Sequence, residues 1–551
     1  MKKLNLKKVN LWLNLGLAVL LVIGYLINVP NLNPIYADGA FIWLVVISAF
    51  LAVNSPSALA GIKFYQSETG RVQMSVDTKT KSFQKLVLSL VLVWALFFLF
   101  LFISSPLFNY KAYRDQIGPL VVSEFSEEIQ FVDLSQVPIV DAALAYSLAD
   151  KKLGENPGMG SQVFLGTPVI QQVAGELVWV VPLQHSGFFK WFQNIEGAAG
   201  YIKVSATNLQ DITFVPSLIK YQPNSFFFDD ITRYLRVVKG YVFDGITDYS
   251  FEINDEGEPY WIITTYSNDW IFALPEANGV ITLNATTGDT ERYSIDTVPS
   301  WVDRVQPERF IYDQLNNQGT FVHGIFNFSN RDKFMTSDQE TIIYNEGNCY
   351  LFTGLTSVGA DESAIGFVMV DMVTKEPQLY QISGTTENKA MESAEGEVQQ
   401  FGYRATSPIF LNHNGIPTYF ITLKDNGGLI KQYAFVSVTD VTTVGAGESI
   451  NAALRDYNNK IGASSSFNAG GDSVDTLSGT VLRISGESSS GGVTYKFILE
   501  EHDTIMFSID AESSPELALT EKGDRVTVSF YETESTVITA QAFDNLALNI
   551  Q

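Results

Sequence analysis

Three unbroken apolar stretches, residues 11–27, 41–60 and 86–108, lie in the first fifth of the chain, and none of comparable length follows. Each approaches the 20 or so residues that carry a helix across about 30 Å of hydrocarbon, so residues 1–108 read as three transmembrane helices. The first stretch has the basic start of a signal peptide but no convincing small-residue cleavage site after it, and it reads as an anchor. Beyond residue 108 the pattern changes to apolar and polar residues alternating over five to eight positions, the period of half-buried antiparallel strands.

These strands come in approximate repeats. Each unit has an apolar strand after a glycine, a polar or Gly-containing connection, then a second and often a third strand. The openings are Gly175-Glu-Leu-Val-Trp-Val-Val-Pro-Leu, Gly257-Glu-Pro-Tyr-Trp-Ile-Ile-Thr-Thr-Tyr, Gly347-Asn-Cys-Tyr-Leu-Phe-Thr-Gly and Gly415-Ile-Pro-Thr-Tyr-Phe-Ile-Thr-Leu. Asn254-Asp-Glu-Gly and Asn412-His-Asn-Gly supply turn chemistry before two of them. Helical spacing predicts helices over residues 141–153, 229–238, 307–316 and 386–399, each ahead of a strand group; Ala142, Ala145, Leu148 and Ala149 share a face of the first, and Phe310, Ile311 and Leu315 one of the third. A sheet with one apolar face needs a cover, so an α+β architecture of helix on antiparallel sheet follows. A helix over residues 448–461, with Ile450, Leu454, Tyr457 and Ile461 in phase, closes the array.

The repeat resembles the PepSY family of small extracytoplasmic modules, most clearly at Gly279-Val-Ile-Thr-Leu-Asn-Ala-Thr-Thr-Gly-Asp, which is similar to that family's closing strand and Thr-Gly turn. The third unit departs from it, with Val370-Asp-Met-Val-Thr-Lys where glycine is expected. The resemblance divides the exterior into units at 109–215, 216–300, 301–384 and 385–462, and three spans carrying such an array resemble uncharacterised Gram-positive envelope proteins. A small polar segment, residues 463–473, reads as a linker. Residues 474–551 then hold about five strands, 479–484, 493–499, 504–509, 525–531 and 537–543, and with Lys522-Gly-Asp-Arg-Val-Thr-Val-Ser-Phe opening the fourth they resemble an OB-type barrel.

Charge orients the chain. Lys2, Lys3, Lys7 and Lys8 precede the first span and Lys63, Arg71, Lys79, Lys81 and Lys85 lie between the second and third, whereas residues 28–39 carry no Lys or Arg. The positive-inside rule predicts a cytoplasmic N-terminus and an extracytoplasmic region from residue 109 to 551. Residues 1–108 have 9 basic and 3 acidic groups, and the remainder 26 and 57, out of 35 and 60 in the whole chain.

The chemistry is sparse. Four histidines (His185, His323, His413, His502) and one cysteine (Cys349) exclude a Cys/His zinc cage and an intrachain disulfide. The sequence has no Gly-Xaa-Ser-Xaa-Gly elbow and no His-Glu-Xaa-Xaa-His helix. The histidines fall in different units, His413 in a turn where exposure is expected, and Cys349 reads as a small buried side chain. Asn254-Asp-Glu-Gly-Glu reads as a hairpin turn rather than a calcium loop, and Glu127-Glu128, Asp229-Asp230 and Glu500-Glu501 as surface. Asn14 and Asn54 are polar exceptions in the spans that water or a neighbouring helix can satisfy. The barrel segment, with 4 basic and 13 acidic groups, disfavours nucleic acid; its Tyr495, Phe497, Phe507, Phe530, Tyr531 and Phe543 fit mostly core positions. The sequence thus predicts no catalytic, cofactor-binding or metal residue and no cofactor. It predicts a multi-pass, membrane-anchored, non-enzymatic scaffold or assembly factor in a bacterial envelope. Its expected partners are the membrane and an envelope protein or a second copy, with polysaccharide as a further ligand class. The alternatives are a PepSY-type peptidase regulator and a subunit of a transport or secretion complex.

Overall fold

The computed structural model describes residues 6–54, 62–66, 72–76, 81–123, 137–345, 347–358, 363–413, 415–464, 474–489, 492–531 and 537–548. Three helices, α1 (Leu6–Asn28), α2 (Ala37–Asn54) and α3 (Lys81–Ile103), are long and apolar enough to cross a membrane. The expected second span shifts toward the N-terminus, and residues 55–60 lie outside the described set. The third ends at Ile103 rather than 108, because Pro106 lacks an N–H and cannot continue a helix; a separate helix, α4 (Pro106–Asp115), starts there instead. A hairpin of β1 (Ile62–Gln66) and β2 (Val72–Val76), which the hydropathy pattern does not reveal, connects α2 and α3. The amides of Asn14 and Asn54 bond each other in both directions, at 2.9 and 2.8 Å, so the neighbouring helix satisfies both.

Two compact bodies make up the chain, the first ending at Ser383 and the second beginning at Gly384. In the first body the chain runs from α4 through β3 (Val121–Ser123) to α5 (Ala142–Gly154), whose N-cap Asp141 accepts from the Leu144 amide. Helix α5 packs on a sheet of β4 (Val163–Leu165), β5 (Val169–Val173), β6 (Glu176–His185), β7 (Tyr201–Ser205) and β8 (Ile212–Val215), in which β4 and β5 both pair with β6. The buried face of α5 is Leu144, Ala145, Ala149 and Leu153, rotated from the expected one, and Ala142 is exposed. A short helix, α6 (Phe188–Gln193), interrupts the β6–β7 connection.

The second sheet is a meander of β9 (Gly245–Ile253), β10 (Pro259–Trp270), β11 (Ala273–Asn284) and β12 (Thr290–Ser294). The helix expected over residues 229–238 is reduced to Ile231–Arg233 followed by a π-helical turn over Tyr234–Val238, capped by Asp230. Helix α7 (Glu308–Thr320) precedes a third sheet of β13 (Phe334–Asn345), β14 (Asn348–Ser357), β15 (Ser363–Asp371) and β16 (Pro377–Tyr380). Its Phe310, Ile311 and Leu315 are buried as the spacing requires, and each fully buried side chain of this size contributes about 1.5–3 kcal/mol. Strand β3 pairs in parallel with β16, and α4 packs on α7, so residues 106–123 associate with the third sheet, although the sequence division puts residues 109–123 in the first unit.

The second body opens with β17 (Gly384–Thr385) and α8 (Glu387–Glu397), N-capped by Thr386. Its sheet runs β18 (Arg404–Ala405), β20 (Ile416–Lys424), β21 (Ile430–Ser437) and β22 (Val444–Gly447), with β19 (Ile409–His413) also pairing with β20. Helix α9 (Ile450–Ser464) lies so close to β22 that a Cβ at Gly445 would stand 2.2 Å from the Tyr457 amide nitrogen. The linker predicted over residues 463–473 falls largely outside the described residues. A closed barrel follows, in the order β23 (Val474–Ser489), β24 (Gly492–Leu499), β25 (His502–Asp510), β27 (Val537–Asn545), β26 (Arg525–Tyr531), with β25 and β27 parallel and β26 returning to β23.

In all four sheets the repeat shows at one point. Gly175, Gly257, Gly347 and Gly415 have φ of +85°, +80°, +84° and +80° at the hairpin that starts each long apolar strand, a conformation in which only glycine carries no Cβ penalty.

Candidate functional site

Where the three sheets of the first body meet, ionisable and amide side chains are buried together. Strand β5 reads Val-Ile-Gln-Gln-Val, and both glutamines are used. The Gln171 amide donates to the Ile253 carbonyl and accepts from the Ile253 amide, both at 2.9 Å, so a side chain substitutes for a neighbouring strand and ties the first sheet to β9. The backbone amide of Gln172 donates to Asp303 Oδ2 at 2.8 Å, and the Tyr344 hydroxyl from β13 lies 2.8 Å from the same oxygen. Arg304 donates to the Ile170 carbonyl and to Glu308 Oε1, each at 3.3 Å. Glu252 Oε2, on β9, accepts from the Asp303 amide at 3.2 Å, while Glu252 Oε1 and Arg304 Nε have no hydrogen-bond partner. Cys349, on β14, is buried beside Tyr344.

Burial dominates the electrostatics. It pushes the Glu252 carboxyl up to about 8, with the nearby Asp303 adding to the shift, so Glu252 is mostly protonated at neutral pH. Burial also raises Asp303, to about 6, against the opposing bonds from Gln172 and Tyr344. Burial opposes the Arg304 charge, yet the guanidinium pKa is raised and it stays protonated, with Glu308 as its nearby carboxylate. The Cys349 thiol is pushed up to about 12, chiefly by burial, and a protonated, enclosed thiol is a poor nucleophile. Chemically the arrangement can hold a proton and lock three sheets against one another.

A second polar contact lies where α4 meets the second and third sheets. Lys375 and Glu276 form an ion pair, the Lys375 ammonium also donates to the Gln116 carbonyl at 3.0 Å, and Gln314 donates to Glu276 at 3.2 Å.

The histidines remain scattered. His185 is buried with its Nδ1 3.3 Å from the Gln222 amide, and burial lowers its pKa. His323 is exposed and paired with Asp332 at 2.7 Å. His502 is half-buried on β25. His413, expected in an exposed turn, ends β19 half-buried and bonds Asn458 at 2.7 Å, because α9 covers that end of the sheet. Asn254-Asp-Glu-Gly-Glu forms the β9–β10 hairpin, with Asn254 bonding back to Glu258. Asp229 accepts from the Trp191 indole, Asp230 caps a helix, and Glu501 accepts from Thr480, while Glu127-Glu128 lies outside the described residues. Among the described residues no group of three His, Cys, Asp or Glu side chains is placed to hold a metal ion.

In the barrel, Phe497, Phe507, Phe530 and Phe543 are core residues and Tyr495 packs against them. Arg483, Lys496 and Lys522, three of the four basic residues of this segment, line a depression of about 460 Å³ on the face formed by β23, β24 and β25. Sequence reasoning missed the joint at Gln171, Glu252, Asp303, Arg304 and Tyr344. The available signal was weak: two adjacent glutamines within an apolar strand, and a lone Glu in Ser-Phe-Glu-Ile.

No protein-family model and no curated protein matches the chain. Among solved structures it aligns with a Synechocystis apocarotenoid oxygenase at 10% identity and TM-score 0.14, covering 51% of this chain and 50% of that one. A levansucrase from B. megaterium aligns at 9% identity and TM-score 0.17, covering 76% and 92%. The chain therefore spans about half the length of the oxygenase. At these scores neither likeness carries an argument about fold or activity.

Proposed function

We propose that the chain is a membrane-anchored extracytoplasmic scaffold or assembly factor of a bacterial envelope, acting by protein–protein interaction. In this reading PepSY-like modules stand on a three-helix foot with a cytoplasmic N-terminus, and an OB-like barrel presents a further surface. The observation that carries it is the fixing of the membrane helices to the sheets above them. The Tyr36 hydroxyl bonds the Tyr266 carbonyl at 2.7 Å, the Leu32 amide bonds the Val242 carbonyl at 3.1 Å, and Phe272 packs on Phe97 of α3 at 5.5 Å. With Gln171, Asp303 and Tyr344 binding the three sheets together, a surface on the first body is held at a set position relative to the bilayer, which is what a positioning protein requires. The order β23-β24-β25-β27-β26 supports the OB-like reading of the barrel.

The test is cross-linked purification of the full chain from native membranes. A stoichiometric envelope protein is expected, and it should remain bound when His185, His323, His413 or His502 is changed singly to Gln. Recovery of the chain alone, or turnover of a peptide, glycan or phosphoester that depends on one of those histidines, would overturn the proposal.

A further inference from the structure

Six large aromatic rings form one connected cluster on the first body, three of them well exposed. Helix α6 supplies Phe188, Phe189, Trp191 and Phe192, and the loop before Ile231 supplies Phe226 and Phe227; successive ring centroids are 5.3–6.2 Å apart. Phe189 is 77% exposed, Phe192 65% and Phe227 62%, and Phe228 beside them is also exposed. A contiguous apolar surface of this kind on a water-exposed body marks a contact.

Its position identifies the contact. Arg233 Nε donates to the Leu26 carbonyl at 2.8 Å and Nη2 to the Ile27 carbonyl at 3.3 Å, which are among the last carbonyls of the membrane-spanning α1. The same guanidinium donates through Nη1 to the Phe227 carbonyl at 2.6 Å. Phe227 is thus held one side chain away from the point where α1 leaves the hydrocarbon. Asn33 bonds the carbonyl of exposed Phe243 at 3.0 Å, so a further aromatic stands at the same helix end. The neighbouring acids are turned to internal bonds, Asp229 to Trp191 and Asp230 to the Arg233 amide. Aromatic rings with basic neighbours such as Lys190 and Arg233 are the composition that settles at a lipid headgroup boundary.

We propose that the exposed face of this cluster, Phe188, Phe189, Phe192 and Phe227 with Phe228 beside it, seats the first body on the adjacent leaflet of the bilayer crossed by α1, α2 and α3. This contact stands apart from the identity of any protein partner. The test uses the full chain in nanodiscs of three parts phosphatidylcholine to one part phosphatidylglycerol, labelled with an environment-sensitive NBD dye at Phe189→Cys or, as the control, at exposed Glu256→Cys in the β9–β10 turn. Cys349 is enclosed and stays unlabelled. The dye at position 189 is expected to emit at shorter wavelength than at 256, to be quenched severalfold less by iodide, and to be quenched by nitroxide-bearing lipids. Equal emission and equal iodide quenching at the two positions would overturn the proposal. So would shielding from iodide without quenching by the nitroxide lipids, since a protein or a second copy would then cover the cluster.

Discussion

Glu252, Asp303, Arg304 and Tyr344 place four ionisable groups together in the interior of the first body, whereas the barrel core packs Val481, Phe497, Leu499, Phe507, Val526, Val528 and Phe530, and the buried acid Glu516 of that segment accepts from the Asn545 backbone amide. The barrel is one sheet closed on itself, so alternation along each strand sends apolar side chains inward and leaves no sheet edge to specify. The joint is where separate sheets abut, and apolar faces alone would let them slide. Directional bonds from Gln171, Gln172 and Tyr344 fix one arrangement, at a desolvation cost visible in the raised carboxyls. Apolar packing supplies stability; the polar joint supplies registration.

That contrast can be broken most forcefully in the barrel. Phe497 stacks on Phe507 at 5.5 Å and meets Phe543 edge-on at 5.3 Å. Phe497→Ala is expected to cost the barrel about 3–5 kcal/mol. Hydrogen exchange by mass spectrometry should show loss of protection in β23 to β27 with the first body unchanged. Equal loss in both bodies would mean that the barrel is not an independent core.

The joint should reveal itself through pH. The ordinary carboxyl value for Glu252 is 4.5 and the folded value about 8, so between them the folded chain holds a proton that the unfolded chain has released. Stability of the first body therefore falls as pH rises through this window, by at most roughly 1.4 kcal/mol per unit, and levels off above it. Asp303 adds a slope of the same sign between 3.8 and about 6. Glu252→Gln cannot titrate, so its melting temperature should be flatter from pH 6 to 8 and no lower than that of the parent at pH 8. An identical slope in the variant would remove Glu252 from the account.

The smallest expected effect concerns the membrane helices. Asn54→Leu removes the reciprocal amide pair with Asn14, and interhelical hydrogen bonds in bilayers average about 0.6 kcal/mol. Cross-linking between α1 and α2 through engineered cysteines should become slightly less efficient, while the sheets keep their protection. A large loss would show that the pair does more than join two helices.

Much of this protein was legible from local pattern. Hydropathy located the three spans because no water satisfies a backbone inside a bilayer, which leaves a long uninterrupted apolar signal. The helices expected from residues 141 and 386 start there, where Asp141 and Thr386 accept from the first free amides. Gly257 and Gly415, each two residues before a proline that leads into an aromatic strand, take the same left-handed conformation at φ +80°. The misreadings are equally local in origin. The third span overran Pro106, and the buried face of α5 was misphased because alanines give a weak moment.

What the tertiary structure alone decided is which distant segments meet. Nothing local announces that Val121–Ser123 pairs with β16, over 250 residues later, since a three-residue strand is specified by the edge that receives it. Nor does composition reveal that Gln171, Glu252, Asp303 and Tyr344 share one interior, because a buried polar group is recognisable only by the partners that surround it. The aromatic cluster follows the same logic: Phe188 and Phe227 each resemble ordinary core residues in sequence, and only the bonds of Arg233 to α1 and to Phe227 bring the cluster to the end of that helix. Periodicity is a property of neighbours along the chain and survives in the sequence. Juxtaposition depends on how sheets abut, and that is settled only when the whole chain has folded.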